Sequence, residues 1–521
     1  VKLTGADTEL NAKGTLVLAG SQNGDNLVID TKGAVADLRV GGAYTARDTS
    51  AVTLGLADAN NSGTVGTVTL NAGTDKEATL NVIGAGAAEF TVGDIRANES
   101  TNTINVAGAT LNTGNITTES GTKALDELNI TSGIVNALGN VNITDVALAN
   151  GVLTANEVPA TAEGVPATGD ITLGTLSGQG AVIADNALTV TDAYNGADTD
   201  ALGLQADTLT TDAFDSTKGD VTIKAAKWNA DGVTTLKGDT VVLTEAGTFT
   251  GAFAMDGGAL VAQNENADAP ATLTFNDDVT FTNGTVAVVD SIKMDGTDTS
   301  LTVGTGDDTV GGTTLSAKHI DLNGGMLLVD PAWGLASSNV AVESLSAGSV
   351  GVGRNSYLAL GTADTGWLPG VVGNYTKGVG LSETGITAAL GVFKGIEIAA
   401  SKNLTVDGSK TGTEINTGWT SSSATNSATF ADNSLLVING QNIYGDKAAI
   451  SFKTTGDLKV DAGAKLLVTD AVAGQDYTIV GNVNDPAAAL AGWKNNGMTS
   501  TTFQPNSSIT REQTATILFR Y

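Results

Sequence analysis

Along most of the chain, apolar residues alternate with polar or small ones for a few positions and then stop at Gly, Asn or Asp. In the stretch TLTFNDDVTFTNGTVAVVD, residues 272–290, Leu273 and Phe275, then Val279 and Phe281, then Val286 and Val288 mark the apolar phase. Asn276-Asp277-Asp278 and Asn283-Gly284 interrupt it. A period of two with turn residues between the runs predicts short strands, each with one buried face. The same grammar recurs in TLVLAG (15–20), TVTLNAG (67–73), ATLNVIG (78–84), NTINVAGATLNTGNIT (102–117), GNVNITDVALANG (139–151) and DITLGTLSG (170–178).

Strands this short need something to pack against. A spacing of about ten to twelve residues suits a sandwich or barrel as well, but those domains close after roughly seven to ten strands and then show a linker. Here the rhythm continues without one, as it does when each coil of a solenoid buries its inner face against the next. The expected fold is all-β, a right-handed parallel β-helix with coils of about 20 to 25 residues and a C-terminal capping region. Residues 272–290 would form much of one coil, with Leu273, Phe275, Val279, Phe281, Val286 and Val288 inside. Their partners would lie about 4.8 Å away, one coil above and below. Asn and Gly belong at the corners, where sharp bends need positive φ.

Three regions depart from the rhythm. EVPATAEGVPATGD, residues 157–170, reads as a loop thrown out from the body. Residues 331–440 are richer in aromatics, with Trp333, Trp367, Trp419, Tyr357, Tyr375 and Phe393, and are expected to be a widened solenoid or an inserted subdomain. Those rings could form a sugar-stacking platform or pack beneath a loop. The expected division is therefore a solenoid over 1–330, this region over 331–440, and a capping region over 441–521.

Composition agrees with stacked short strands. Of 521 residues, 66 are Gly and 7 are Pro, and aromatics make up only 4%, which suits a narrow interior of Val, Leu, Ile and Ala. Disorder is the rival for so Gly- and Asp-rich a chain, but 41% hydrophobic residues in regular alternation predict folding. With 26 Lys and Arg against 56 Asp and Glu, the formal charge is −30. Such a surface repels phosphate backbones and anionic lipid, which argues against nucleic-acid partners and membrane attachment, and leaves solubility and cation binding as its uses. No cysteine is present, as suits a protein exported to an oxidising space. The first residue is Val1 with no charged-then-apolar leader, as expected of a processed mature chain. Even the most apolar run, GITAALGVFKGIEIAA (385–400), is broken by Gly, Lys394 and Glu397, so no direct membrane insertion is expected.

Candidate chemistry is sparse. GTGDDTV, residues 304–310, fits one Gly-x-Gly-x-Asp-x-apolar calcium turn through Gly304, Gly306 and Asp308, but such sites share each ion between consecutive copies and no second copy follows. Asp277 and Asp278 suit a corner. The single histidine, His319 in SAKHIDLNGG, reads as an edge or surface residue beside an apolar strand rather than a general base. Without Cys, a His cluster or a Gly-x-Ser-x-Gly elbow, triad and transition-metal mechanisms lack parts. Paired carboxylates for glycoside hydrolysis stay open, because coils bring distant residues together. No catalytic, cofactor-binding or metal residue is assigned, and no enzyme is expected.

AAISFKTTGDLKVDAGAKLLVTDAVAGQDYTIVGN, residues 448–482, resembles the C-terminal part of a bacterial autotransporter passenger through Leu458 and Val460, Leu466 and Val468, and Tyr477 to Val480. In that family the region caps the β-helix and helps nucleate folding after export. The rest of the chain is similar in pattern and composition to pertactin-like and self-associating adhesin passengers. GWKNNGMTSTTFQPNSSITREQTATILFRY, residues 492–521, is similar to the second half of an S-layer homology module through Phe503, Pro505, Thr510, Arg511 and Glu512. There the Thr-Arg pair helps to hold an anionic cell-wall polysaccharide. The alternative is a terminal strand over TATILFRY. Together these resemblances imply an extracellular protein at a bacterial surface, structural or adhesive, whose partners are copies of itself or a host or matrix glycan or protein. A surface-layer or filament subunit is the alternative, and a polysaccharide-processing β-helix the third.

Overall fold

The computed structural model is built of parallel strands, with no helix among the described residues. Strands are described from Thr8–Asn11 to Thr502–Phe503. Side chains are described within residues 63–347, leaving out 72–76, 85–87, 98–100, 119–123, 157–168, 197–199, 305–311, 330–337 and a few single positions. The chain divides into two compact units, Val1–Gly232 and Val233–Tyr521. The boundaries expected at 330 and 440 both fall inside the second.

In the first unit each turn has three strands. Glu77–Gly84, Glu89–Val92 and Ile95–Ala97 pair in parallel with Thr101–Ala107, Thr110–Thr113 and Ile116–Thr118 of the next turn. Stacked partners are 24 residues apart at Asn81, Asn105 and Asn129, close to the expected coil length. The step shortens to 18 between Asn136 and Thr154, and lengthens to 30 between Asp145 and Thr175, where the turn carries residues 157–170. That segment itself lies almost wholly outside the described residues.

Because side chains alternate along a strand, an in-register stack lines the interior with one ladder per face. Leu80, Ile104, Leu128, Val146, Leu176 and Tyr194 form the first. Phe90, Leu111, Val135, Leu153, Val182, Leu204 and Ile223 form the second. Ile95, Ile116, Val141, Ile171, Leu188, Leu209 and Trp228 form the third. Phe90 fits because Gly63 precedes it in register, and a Cβ there would lie 2.5 Å from the ring. Tyr194 stacks on Phe214 at 5.6 Å between centroids, and Trp228 meets Phe214 edge-on. The buried Trp228 indole donates to the Thr211 hydroxyl at 3.0 Å.

The second unit has the same plan. Phe253–Asp256, Ala259–Ala262 and Thr272–Phe275 are followed in register by Val279–Thr282 and the two halves of Val286–Met294. Phe249 stacks on Phe275 at 5.0 Å, and Phe253 meets Phe249, Phe275 and Phe281 edge-on. The opening stretch thus packs as expected at Leu273, Phe275, Val279 and Phe281, all fully buried.

Val286 and Val288 are corrections. The chain turns at Asn283 and Gly284, both with positive φ, and Thr285 then occupies the corner, fully buried. Its hydroxyl bonds the carbonyls of Met255, Gly257 and Thr282. This shifts the phase by one residue, so Ala287 and Val289 point inward. Val286 is partly exposed, and Val288 lies on the outer side yet is covered, in register with Val261 and Ser316.

Toward the C-terminal end, Ile450–Val460 and Tyr477–Asn482 stack in parallel, and Thr502–Phe503 pairs antiparallel with Tyr477–Asn482. Strands therefore coincide with the Leu458, Val460, Leu466, Val468 and Tyr477 runs. Pro505, Thr510, Arg511 and Glu512 lie outside the described residues, as do the side chains of the 331–440 aromatics and Gly306 and Asp308 of the single calcium-like turn.

Truncating a ladder residue leaves a cavity between two rungs that cannot collapse without breaking register. Leu128→Ala and Phe275→Ala are each expected to lower the unfolding free energy by about 2–5 kcal/mol, whereas Thr131→Ala on the outer side should change it by under about 0.5 kcal/mol. Equilibrium urea unfolding followed by far-UV circular dichroism measures the difference.

Candidate functional site

The register that builds the core also sorts the outer residues into columns. In the first unit one column runs Thr79, Thr103, Glu127, Asp145, Thr175. Two carboxylates on consecutive rungs repel, and each is flanked by a hydroxyl: Thr103 donates to Glu127 at 3.3 Å, and Thr175 donates to Asp145.

The neighbouring columns carry no charge over four rungs. On the same face they run Asn105, Asn129, Ala147, Ser177 and Ala107, Thr131, Ala149, Gln179. Around the corner they run Thr110, Ile134, Val152, Ala181 and Asn112, Asn136, Thr154, Ile183. All sixteen positions, four on each of four rungs, are partly or fully exposed. Within this strip Asn129 donates to Asn105 at 3.0 Å and Asn136 to Asn112 at 2.9 Å, while Asn105 donates to Asn81 at 2.9 Å and Thr154 to Asn136 at 2.9 Å. Each ladder bond uses one amide N–H and one oxygen lone pair, so an Asn keeps a second donor and a second acceptor for contacts outward.

The corners hold a different ladder. Asp94 accepts from the backbone N–H of Asn115 at 2.9 Å, and the Asn115 side chain accepts from that of Asn140 at 3.0 Å. Asn140 in turn accepts from Gly169 and Asp170, and Asp170 from Asn186 and Ala187. Each side chain therefore satisfies an N–H freed by the bend on the next turn, as Asx residues do in isolated turns. Burial pushes the Asp94 carboxyl up, but the Asn115 N–H, Arg96 and the Asn115 amide outweigh it and hold the group below its usual value. Asp277 and Asp278 also sit at a corner, as read from the sequence: Asp278 accepts from the N–H and hydroxyl of Ser300 at 2.8 and 2.9 Å.

The second unit brings together the residues closest to an acid–base cluster. His319 follows Ser291 in register and precedes Ser344, and Asp321 follows Lys293. Lys293 pairs with Asp295 at 2.6 Å, and this contact raises its ammonium above the usual lysine value. Asp290, one residue before Ser291, is almost wholly buried, and no sequence signal beyond an acid closing the run VAVV singled it out. Its carboxylate accepts from the N–H of Asn264 at 2.8 Å and of Ala271 at 3.1 Å, and meets the Lys318 ammonium at 2.7 Å. Those three contacts tie the two ends of the connection 263–271 to the strand. His319 is half-buried at the edge of this cluster, as its setting beside an apolar strand predicts.

Among the described residues no three His, Cys, Asp or Glu side chains converge as a metal site. Among the described residues no helix is long and apolar enough to cross a membrane. No family model, curated protein or solved structure matches the chain.

Two outcomes check these roles. Because the folded Asp94 pKa is depressed, its contribution to stability is full above the unfolded value near 4 and is lost as pH falls through the lower folded value. Asp94→Asn keeps the acceptor but not the titration, so its stability should vary less with pH than that of the parent between about pH 2 and 5, as urea unfolding across that range would reveal. Asp290→Ala leaves the Asn264 and Ala271 N–H groups and the Lys318 ammonium without this acceptor. It should cost on the order of 2–3 kcal/mol and remove hydrogen-exchange protection at those two amides.

Proposed function

We propose that this chain is an extracellular structural or adhesive β-solenoid of a bacterial surface, acting by adhesion or self-association rather than catalysis. The observation that carries the reading is the outer face of the first unit. Four uncharged columns repeat on four rungs, and such a face offers many equivalent weak contacts instead of one deep site. The acidity of the chain keeps it soluble and turns away nucleic acid and anionic lipid. The absence of cysteine suits export. The resemblance of residues 448–482 to passenger C-terminal regions points the same way, and the partners that this reading implies are like copies, host proteins or matrix glycans.

A second reading, a surface-layer or extracellular filament subunit, is favoured by the Phe503, Pro505, Thr510, Arg511 and Glu512 pattern, which would serve as an attachment or assembly element. The two readings separate by electron microscopy of the purified chain at several protein and calcium concentrations. Discrete particles that bind cells, matrix or one another in solution are the expected result. Ordered sheets or fibres that vanish on deletion of residues 492–521 would replace it with the subunit reading. A third reading, processing of polysaccharide, would require release of reducing ends or unsaturated products from a panel of neutral and acidic glycans.

A further inference from the structure

We propose that the uncharged strip of the first unit is the surface on which a second copy of this chain docks, and that ionic strength controls the docking. The inference rests on the adhesive or self-associating reading above and names its partner and regulation.

The argument for a second copy has two parts. The first is electrostatic. Two bodies of formal charge −30 repel at every approach, and the repulsion is least where the facing surfaces carry no charge. The strip supplies such a surface beside a column that carries Glu127 and Asp145 on consecutive rungs. The second is geometric. The strip repeats along the stacking direction at the rung spacing of about 4.8 Å, and only a partner with that same repeat can match it on every rung. Another copy has it by construction, so the outward amide groups of Asn105 and Asn129 find the same pattern opposite. Ile134, 38% exposed, supplies apolar area within the strip.

The strip's sixteen positions are fewer than the roughly 20–30 residues a side of a stable interface, which places the contact in the weak, reversible class. Residual repulsion between the acidic surroundings acts over about 10 Å at 0.1 M salt and over about 3 Å at 1 M. Salt therefore strengthens the association, the opposite of a contact held by ion pairs.

Sedimentation velocity of the full chain over a range of concentrations, at about 0.05 M and 0.5 M sodium chloride, tests this. The weight-average mass should rise with concentration and more steeply at the higher salt. Thr131→Glu and Ala149→Glu, both at exposed strip positions, should each weaken association by about tenfold or more. Thr172→Glu adds the same charge on the third face, between Asn142 and Thr189 in its column, and should leave association near that of the parent. Circular dichroism establishes that all three variants are folded.

A chain that stays monomeric at every salt and concentration would overturn the proposal, while adhesion would remain to be judged by binding to matrix proteins and glycans. Association that all three variants reduce equally, or that neither strip variant changes, would overturn the strip as the docking surface and leave self-association standing. Strip variants that lose binding to a glycan or matrix protein without altering the mass would assign the strip to that partner instead.

Discussion

Everything in this molecule depends on parallel strands stacking in register at one fixed spacing. A single short strand cannot bury its apolar side chains, and three short strands in one turn cannot do so either. Placed about 4.8 Å above an equivalent turn, each strand completes its backbone hydrogen bonds with the turns on either side, and each inward side chain meets its counterpart. Leu80, Ile104, Leu128, Val146 and Leu176 touch in sequence because of this, although they are far apart in the chain. The aromatics Tyr194 and Trp228 meet at Phe214, and Phe90 enters where a glycine precedes it.

The same register governs the polar residues. An Asn at one outward position would be an unremarkable surface residue. Repeated at Asn81, Asn105 and Asn129, it becomes a hydrogen-bonded column, because a carboxamide can donate to one neighbour while accepting from the other. At the corners Asp94, Asn115, Asn140 and Asp170 bond backbone N–H groups that the bend has taken out of the strand ladder. Charge follows the same logic in the negative. Like charges on consecutive rungs are costly, and over four rungs the columns through Asn105, Ala107, Thr110 and Asn112 have none.

This regularity also bears on function. A solenoid that spends its polar groups on ladders and corners presents breadth rather than depth, and Asp290, a buried acid of the second unit, is held by two backbone N–H groups and Lys318.

The sequence by itself determined the strand content, a coil length of about 20 to 25 residues, the inward positions Leu273, Phe275, Val279 and Phe281, and the corner role of Asp277 and Asp278. These follow from local rules: alternation reports one buried face, and Asn, Asp and Gly report where the backbone bends. The tertiary structure alone decided which rung follows which, and with it every contact between turns. The phase of a strand after a corner depends on how many residues the bend consumes, so a buried Thr285 shifted Val286 outward and Ala287 inward against the apparent pattern. The uncharged strip was likewise invisible in the chain, because its columns collect residues 18 to 30 positions apart and the step between rungs varies. Asp290 could not be read as a tether, since its partners Asn264, Ala271 and Lys318 are brought to it only by stacking.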